Sequence, residues 1–379
     1  MILILTQCFL PDMGGIENLM GGLVSALRAE GKQVHVLADR ARGQGKGDWV
    51  TDYPLERFGG PRPLRRWRKM RRAKALLDTG TVTAVFADSY KSIEFLPDVA
   101  VPVVVLAHGM EFPQHPSARK HQRIARSFAK ATAVIANSTF TASQLAGYLP
   151  PDHLPVVINP PIGPQPVASV AMRARLDELL DQHMPVMLTL SRLEPRKGID
   201  QVIRALPALV ARHPDLVYLV AGGGEDTDRL KQLALDLNVT AHVRFLGRVD
   251  DDMKAALFER ATLFAMPVRR EGSSVEGFGI SYCEAAWYGV PSLAGSEGGA
   301  VDAVHDGVTG LVCDGANPHS VSQALALLLG DGALRERLGL AAQQRARGDL
   351  QWSRAIKAYI ALLEGQKDLQ AGLTQSDQG

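Results

Sequence analysis

Two carboxylates, Glu276 and Glu284, stand eight positions apart in the run Val275-Glu276-Gly277-Phe278-Gly279-Ile280-Ser281-Tyr282-Cys283-Glu284-Ala285. The first falls in a glycine-rich loop and the second inside a helix expected over residues 280–288. A continuous helix would hold them roughly 12 Å apart on different faces, so they cannot share one proton as a dyad. A loop entering a helix N-terminus does something else well: it offers unpaired backbone N–H groups to an anion. Gly277 and Gly279 let that backbone come close to a ligand. One Glu could then meet a sugar beside phosphates while the other reaches a hydroxyl further along the same molecule.

A second charged set, Ser191-Arg192-Leu193-Glu194-Pro195-Arg196-Lys197-Gly198, follows an expected strand, on the side where parallel α/β sheets bind ligands. Arg192 could hold a diphosphate as a bidentate fork and Lys197 as a point charge. Alone, such a pair reads more readily as a solvated loop; beside Glu276 and Glu284 the anion site becomes the better reading. His108, in Ala107-His108-Gly109-Met110-Glu111, also follows a strand. A histidine there is more often structural, but its glycine neighbour and the strand's carboxyl end put it at the mouth of a cleft. Glu111 could as easily cap the next segment. Gly14 and Gly15 open the first helix and divide evenly between a tight turn and a ligand loop.

Three further patterns are excluded or given bland readings. Gly222-Gly223-Gly224 fails the dinucleotide fingerprint because Thr227 stands where the third glycine should be, so NAD is poorly supported. Asp250-Asp251-Asp252 contains Asp-x-Asp but precedes an apolar-periodic helix, where it reads as an N-cap instead of a metal site. Gly45-Lys46 lacks the following Ser or Thr of a P-loop.

These residues need elements to position them. Short β-branched runs near 2–5, 33–37, 82–86, 101–106, 133–136 and 156–158 alternate with helical patterns over 17–29, 117–128 and 139–147. In the second half, strands near 186–190, 216–220, 243–246, 262–265 and 292–294 alternate with helices over 199–212, 227–237, 251–259 and 280–288. Strict alternation means parallel sheets covered on both faces. Asn159–Pro166 carries four prolines in eight residues and reads as a linker. The expected division is a Rossmann-like domain over 1–163, a second over 164–350, a helix over 351–365 and a polar tail over 366–379.

Glu-x7-Glu set in Glu-Gly-Phe-Gly-Ile, with the other motifs in the same order, resembles the donor-site signature of retaining glycosyltransferases of the GT-B class, family 4. The resemblance covers nearly the whole chain from Gly14. It implies the GT-B fold: two Rossmann-like domains with parallel sheets facing a central cleft, and a C-terminal helix, 351–363 here, crossing back to the first domain. It implies that Arg192 and Lys197 bind the donor pyrophosphate, assisted by backbone N–H groups at Phe278 and Gly279, with Ile280 also at the donor. Glu276 would hold the donor sugar and Glu284 the ribose. Gly222 would lie beside the nucleotide, and Arg248 and Val249 at the nucleobase. Gly14 and Gly15 would form a cleft loop that orders on binding, and His108 would stabilise the reacting sugar. Retention would come from same-face attack, with the leaving phosphate taking the acceptor proton and no metal or other cofactor required. The run Met266–Gly272 into Val275–Gly277 looks most like the phosphatidylinositol mannosyltransferase branch, which favours GDP-mannose slightly over UDP-sugars. A sugar-nucleotide epimerase of the same architecture and a non-catalytic, membrane-docked nucleotide-sugar-binding protein are the alternatives.

Composition agrees with such an enzyme. A chain of 379 residues, 46% hydrophobic and 22% charged, suits a soluble two-domain protein. Three cysteines, widely spaced, form neither a zinc pattern nor a disulfide framework. Ile2–Leu5 is too short for a signal sequence, and no apolar run could span a bilayer, so a cytoplasmic protein is expected. Eight basic residues between Pro61 and Lys74, set against a net charge of +2, leave −6 elsewhere. The positive charge is local, which points away from nucleic acid. With Leu64, Trp67 and Met70 at spacings of three, this segment suits an anionic membrane surface, through Arg65, Arg66, Trp67, Arg68 and Lys69. Its bland reading is a solvated face with Trp67 in the core. A lipid-linked or glycan acceptor and peripheral placement at the inner face of the membrane follow as expectations.

Overall fold

The computed structural model describes residues 1–12, 14–40, 51–113, 115–150, 153–180 and 184–366. Met13, the Gly45–Lys46 pair and the tail beyond Gln366 lie outside the described residues. The chain forms two compact units, one of residues 1–163 with 351 onward and one of 164–350.

The first unit holds seven parallel strands: β1 (Ile2–Thr6), β2 (Val34–Asp39), β3 (Leu55–Phe58), β4 (Ala84–Ala87), β5 (Val103–Ala107), β6 (Ala133–Ala136) and β7 (Val156–Val157). Their order across the sheet is β3-β2-β1-β4-β5-β6-β7, which reverses direction between β1 and β4. Every residue of β1 is buried, because helices cover both faces of the sheet. Leu3 and Leu5 enter one core with Val85 and Val105; Ile2 and Ile4 enter the other with Leu23 and Phe86. The helix Trp352–Leu363 lies on that second face, placing Ile356, Tyr359 and Leu362 in its core, with the Tyr359 and Phe86 rings 5.9 Å apart. The proline-rich segment is not a freely exposed tether. Pro160, Pro161 and Ile162 are buried, and Ile162 bridges Gln351 in parallel, so the chain's outgoing and returning paths run side by side.

The second unit holds six parallel strands: β8 (Val186–Leu190), β9 (Val217–Ala221), β10 (Val243–Gly247), β11 (Leu263–Met266), β12 (Ser292–Gly295) and β13 (Gly310–Cys313). Their order is β10-β9-β8-β11-β12-β13, with the reversal between β8 and β11. In such sheets the crevice beyond the carboxyl ends of the two strands flanking the reversal is where a ligand can enter between diverging loops.

The basic segment is a helix, Arg62–Leu77, and one expectation for it fails. Lys69 is only 2% exposed: its Nζ donates to the Thr6 carbonyl at 2.7 Å and to Asp39 Oδ1 at 2.8 Å, at the carboxyl ends of β1 and β2. An ammonium buried this way is neutralised by the fold and is not offered to a bilayer. Arg65 pairs with Asp39 and Arg66 with Glu94. Met70 joins the core, while Leu64 and Trp67 are exposed, so Trp67 is not the core residue of the bland reading. Arg68 is exposed. Among the described residues no helix is long and apolar enough to cross a membrane, and Cys8, Cys283 and Cys313 are free thiols.

Candidate active site

The loops at the reversal of the second sheet are joined by charge. Beyond β8 the chain turns through Ser191–Glu194 into a short 3₁₀ turn, Pro195–Lys197. There Arg192 Nη1 meets Glu194 Oε1 at 2.7 Å, Glu194 Oε2 accepts from Arg196 Nε at 2.9 Å, and Arg196 Nη1 reaches Glu276 Oε2 at 2.5 Å. Lys197 Nζ meets the same Glu276 oxygen at 2.5 Å. Glu276 comes from the loop beyond β11, so an unbroken ladder of three cations and two carboxylates links the two loops that flank the reversal. One positive charge remains in excess, as an anion site requires. Arg192, at the outer end, is 68% exposed, whereas Arg196 at the centre is 3% exposed. The Arg269 guanidinium, paired with both oxygens of buried Asp200, fixes the β11 loop, and the backbone N–H of Arg269 donates to the Arg196 carbonyl.

Burial alone would raise the Glu276 pKa, but Lys197 and Arg196 together hold it down at about 2. Burial lowers the Lys197 pKa, and the Glu276 charge works in the opposite sense. A carboxylate whose folded pKa is depressed contributes stability in full above its ordinary value of 4.5 and loses it as pH falls towards 2. The thermal midpoint of the wild type should therefore fall more steeply through this window than that of Glu276→Gln, which lacks the titration. Parallel curves would show that the ladder does not carry a charged Glu276.

Backbone geometry completes the site. Gly279, at φ 96°, precedes the helix Ile280–Trp287, and a side chain there would strike the Tyr282 ring. Phe278 is buried and Ile280 half-buried. Gly222, at φ 128°, lies so close to the Ser191 carbonyl that any Cβ would collide with it. Its N–H donates to the Gly247 carbonyl at 2.7 Å, and Leu193 N–H donates to Gly223 at 3.1 Å, stitching together the loops beyond β8, β9 and β10. That brings exposed Arg248 alongside Gly223; Val249 is half-buried. Glu284, on the helix, is buried and meets Lys254 Nζ at 3.0 Å. Asp250 caps the helix Asp251–Arg260 by accepting from Met253 N–H, Asp251 pairs with Lys254, and Asp252 accepts two hydrogen bonds from Ser169. No metal-ligating cluster of three or more occurs among the described residues.

In the first unit, His108 lies just beyond β5. Its Nε2–H donates to the Asp88 carbonyl at 2.8 Å, which fixes the orientation of the ring. Glu111 Oε1 accepts from His108 N–H at 2.8 Å, so this carboxylate holds the histidine's own turn. Gly14 immediately precedes the helix Gly15–Ala29, whose first residue is exposed. The Glu17 carboxylate fills the space a Cβ on Gly14 would take, which suits a hydroxyl there better than a phosphate.

Arg196, Glu194 and Lys254 were not among the expected site residues. Charges of alternating sign at 192, 194 and 196 are a signal that could have exposed the first two. Lys254 reaches Glu284 from another helix, 30 positions away, and carries no such signal.

Two doubly wound parallel sheets, one in each unit, are the frame of the GT-B class of glycosyltransferases. The model of "Glycosyltransferase Family 4" matches residues 13–165, and that of "Glycosyl transferases group 1" matches residues 173–345. The chain is 32% identical, over 97% of its length and 99% of the relative's, to a GDP-mannose-dependent alpha-(1-6)-phosphatidylinositol monomannoside mannosyltransferase of Mycolicibacterium smegmatis. It is 30% identical to the protein of the same description from Mycobacterium tuberculosis, over 96% and 98% of the two lengths. Sucrose-phosphate synthase from Thermosynechococcus elongatus shares the fold with a TM-score of 0.78 at 20% identity, covering 96% of this chain and 98% of that one. The chain belongs to the family 4 glycosyltransferases, and it is an enzyme that uses a nucleotide-sugar donor.

Proposed function

We propose that this enzyme transfers mannose from GDP-mannose to a hydroxyl of a lipid-linked glycan, with retention and without a metal. The observation that carries the reading is the ladder from Arg192 to Lys197 through Glu276. Arg192 and Lys197 take the diphosphate, and Glu276, which shares Lys197 in the free enzyme, turns to the donor sugar. The bond from the anomeric carbon to the donor phosphate oxygen breaks as the acceptor oxygen bonds on the same face. The acceptor proton passes to the departing phosphate. Backbone N–H groups at Phe278, Gly279 and Ile280 help to hold that phosphate, Glu284 holds the ribose, and Gly222, Arg248 and Val249 border the nucleotide. His108 steadies charge on the reacting sugar, and Gly14 and Gly15 receive the acceptor. Fixed positive charge aimed at a leaving group is electrostatic preorganisation, commonly the largest catalytic contribution. GDP-mannose is chosen because the full-length relatives are described as using it. Exposed Arg68, Trp67 and the outer arginines of helix Arg62–Leu77 turn to an anionic bilayer that holds the acceptor.

Nucleotide release from GDP-, UDP- and ADP-sugars by the purified protein tests this. GDP-mannose should be turned over fastest, and EDTA should leave the rate nearly intact. Preference for a UDP-sugar would overturn the donor assignment. Loss with EDTA that Mg²⁺ restores would overturn the metal-free mechanism.

A further inference from the structure

Outside the sheet-edge site, the first unit carries a groove of about 730 Å³ between helix Arg62–Leu77, the turn after helix Tyr90–Ile93, and helix Ala118–Phe128. Arg62, Arg66, Arg71, Lys74, Lys91 and Arg123 line it, against the single lining carboxylate of Glu94; Lys74 is paired outside the groove with Asp78. That carboxylate is divided between Arg66, at 3.2 Å, and Arg123, at 3.5 Å, so the two guanidiniums keep one charge uncompensated between them. Burial lowers the Lys91 pKa; Glu111 opposes this, while Arg62 and Arg66 crowd it with like charge. Cations gathered this closely with fewer acids than charges are costly unless an anion joins them.

The groove is also apolar. Trp67 and Phe95 are 55% and 59% exposed and line it with Pro97, while Arg71 lies 5.5 Å from the Trp67 ring centre. A free phosphate or a polar polyanion would leave these rings in water, whereas an amphiphile with an anionic head covers both features at once. We propose that this groove binds one anionic phospholipid molecule, its phosphate among Arg66, Lys91 and Arg123 and its first acyl methylenes against Trp67, Phe95 and Pro97. The assignment rests on the reading that helix Arg62–Leu77 faces a bilayer, and it adds a discrete, saturable site to what would otherwise be diffuse attraction.

The test uses the full chain and dihexanoyl phosphatidylglycerol kept monomeric below its micelle concentration. Binding is read by calorimetry and by tryptophan fluorescence, with Trp67→Phe identifying the reporter. Saturable binding of one lipid per chain is expected, with dihexanoyl phosphatidylcholine and inorganic phosphate each at least about tenfold weaker, a loss equal to roughly one good charged contact. Lys91→Ser with Arg123→Ser should weaken binding about tenfold or more. That pair should keep nucleotide release, which confirms folding, and still sediment with phosphatidylglycerol vesicles through exposed Arg68 and Arg71. Inorganic phosphate binding as tightly as the lipid would overturn the proposal in favour of a simple anion site. Vesicle binding without saturable binding of the monomer would overturn the discrete site and leave the bilayer reading standing. Binding to neither would overturn both.

Discussion

Glu276→Gln is expected to lower kcat on the order of 10²-fold or more while leaving the donor KM unchanged or reduced. The substitution keeps size and hydrogen-bonding reach, so Arg196 Nη1 and Lys197 Nζ retain an oxygen to meet. What disappears is the negative charge that the two cations share before the donor arrives. Freed of that competition, they should hold a diphosphate at least as well, whereas the charge facing the sugar as its bond breaks is gone. Binding kept and turnover lost marks an interaction made mainly in the transition state. A folded variant with undiminished kcat would remove Glu276 from the reaction and leave the ladder a structural brace.

Lys197→Met should fail differently. Methionine keeps much of the volume in this buried position, and Arg196 still neutralises Glu276, so the protein should fold. The leaving phosphate then lacks its point charge, and kcat/KM should fall on the order of 10²- to 10³-fold, with donor KM rising as kcat falls. Steady-state kinetics with the donor varied separates the two variants. If Lys197→Met kept kcat/KM within about threefold of wild type, below the loss of even a single charged contact, the diphosphate would have to be held elsewhere.

Most of the sheet frame was legible because parallel strands buried on both faces are continuous apolar runs. Val186–Leu190 and Ala133–Ala136 have the expected limits, and every other expected strand begins and ends within two residues of its observed limits. Strand β3 was not legible. Its four residues, Leu-Glu-Arg-Phe, are all half-buried at the sheet edge and show no apolar run. Strand β13, with a glycine in its first position, is also an edge. Within the site, Arg192, Lys197 and Glu276 stood out because motif and spacing tied them together, and the ladder joins them. Lys69 shows where that reasoning ends. Its place in a basic amphipathic run suggested solvent or lipid, yet its partners Asp39 and Thr6 lie 30 and 63 positions earlier. Only the docking of the helix on the sheet's carboxyl edge reveals them. The same docking separates Trp67, which is exposed, from Met70, which is core, although both lie on one expected stripe.

The last helix, Trp352–Leu363, has a consequence for how the protein is made. Residues 164–350 form a unit whose strands and helices are all synthesised in one stretch, so it can fold as soon as it leaves the ribosome. The first unit begins earlier but must wait for Ile356, Tyr359 and Leu362 to roof the sheet face formed by Ile4, Phe86 and Leu106. The part that is translated first is therefore completed last. Until then an apolar sheet surface stands open on the nascent chain, and a product cut off near residue 350 would keep it open.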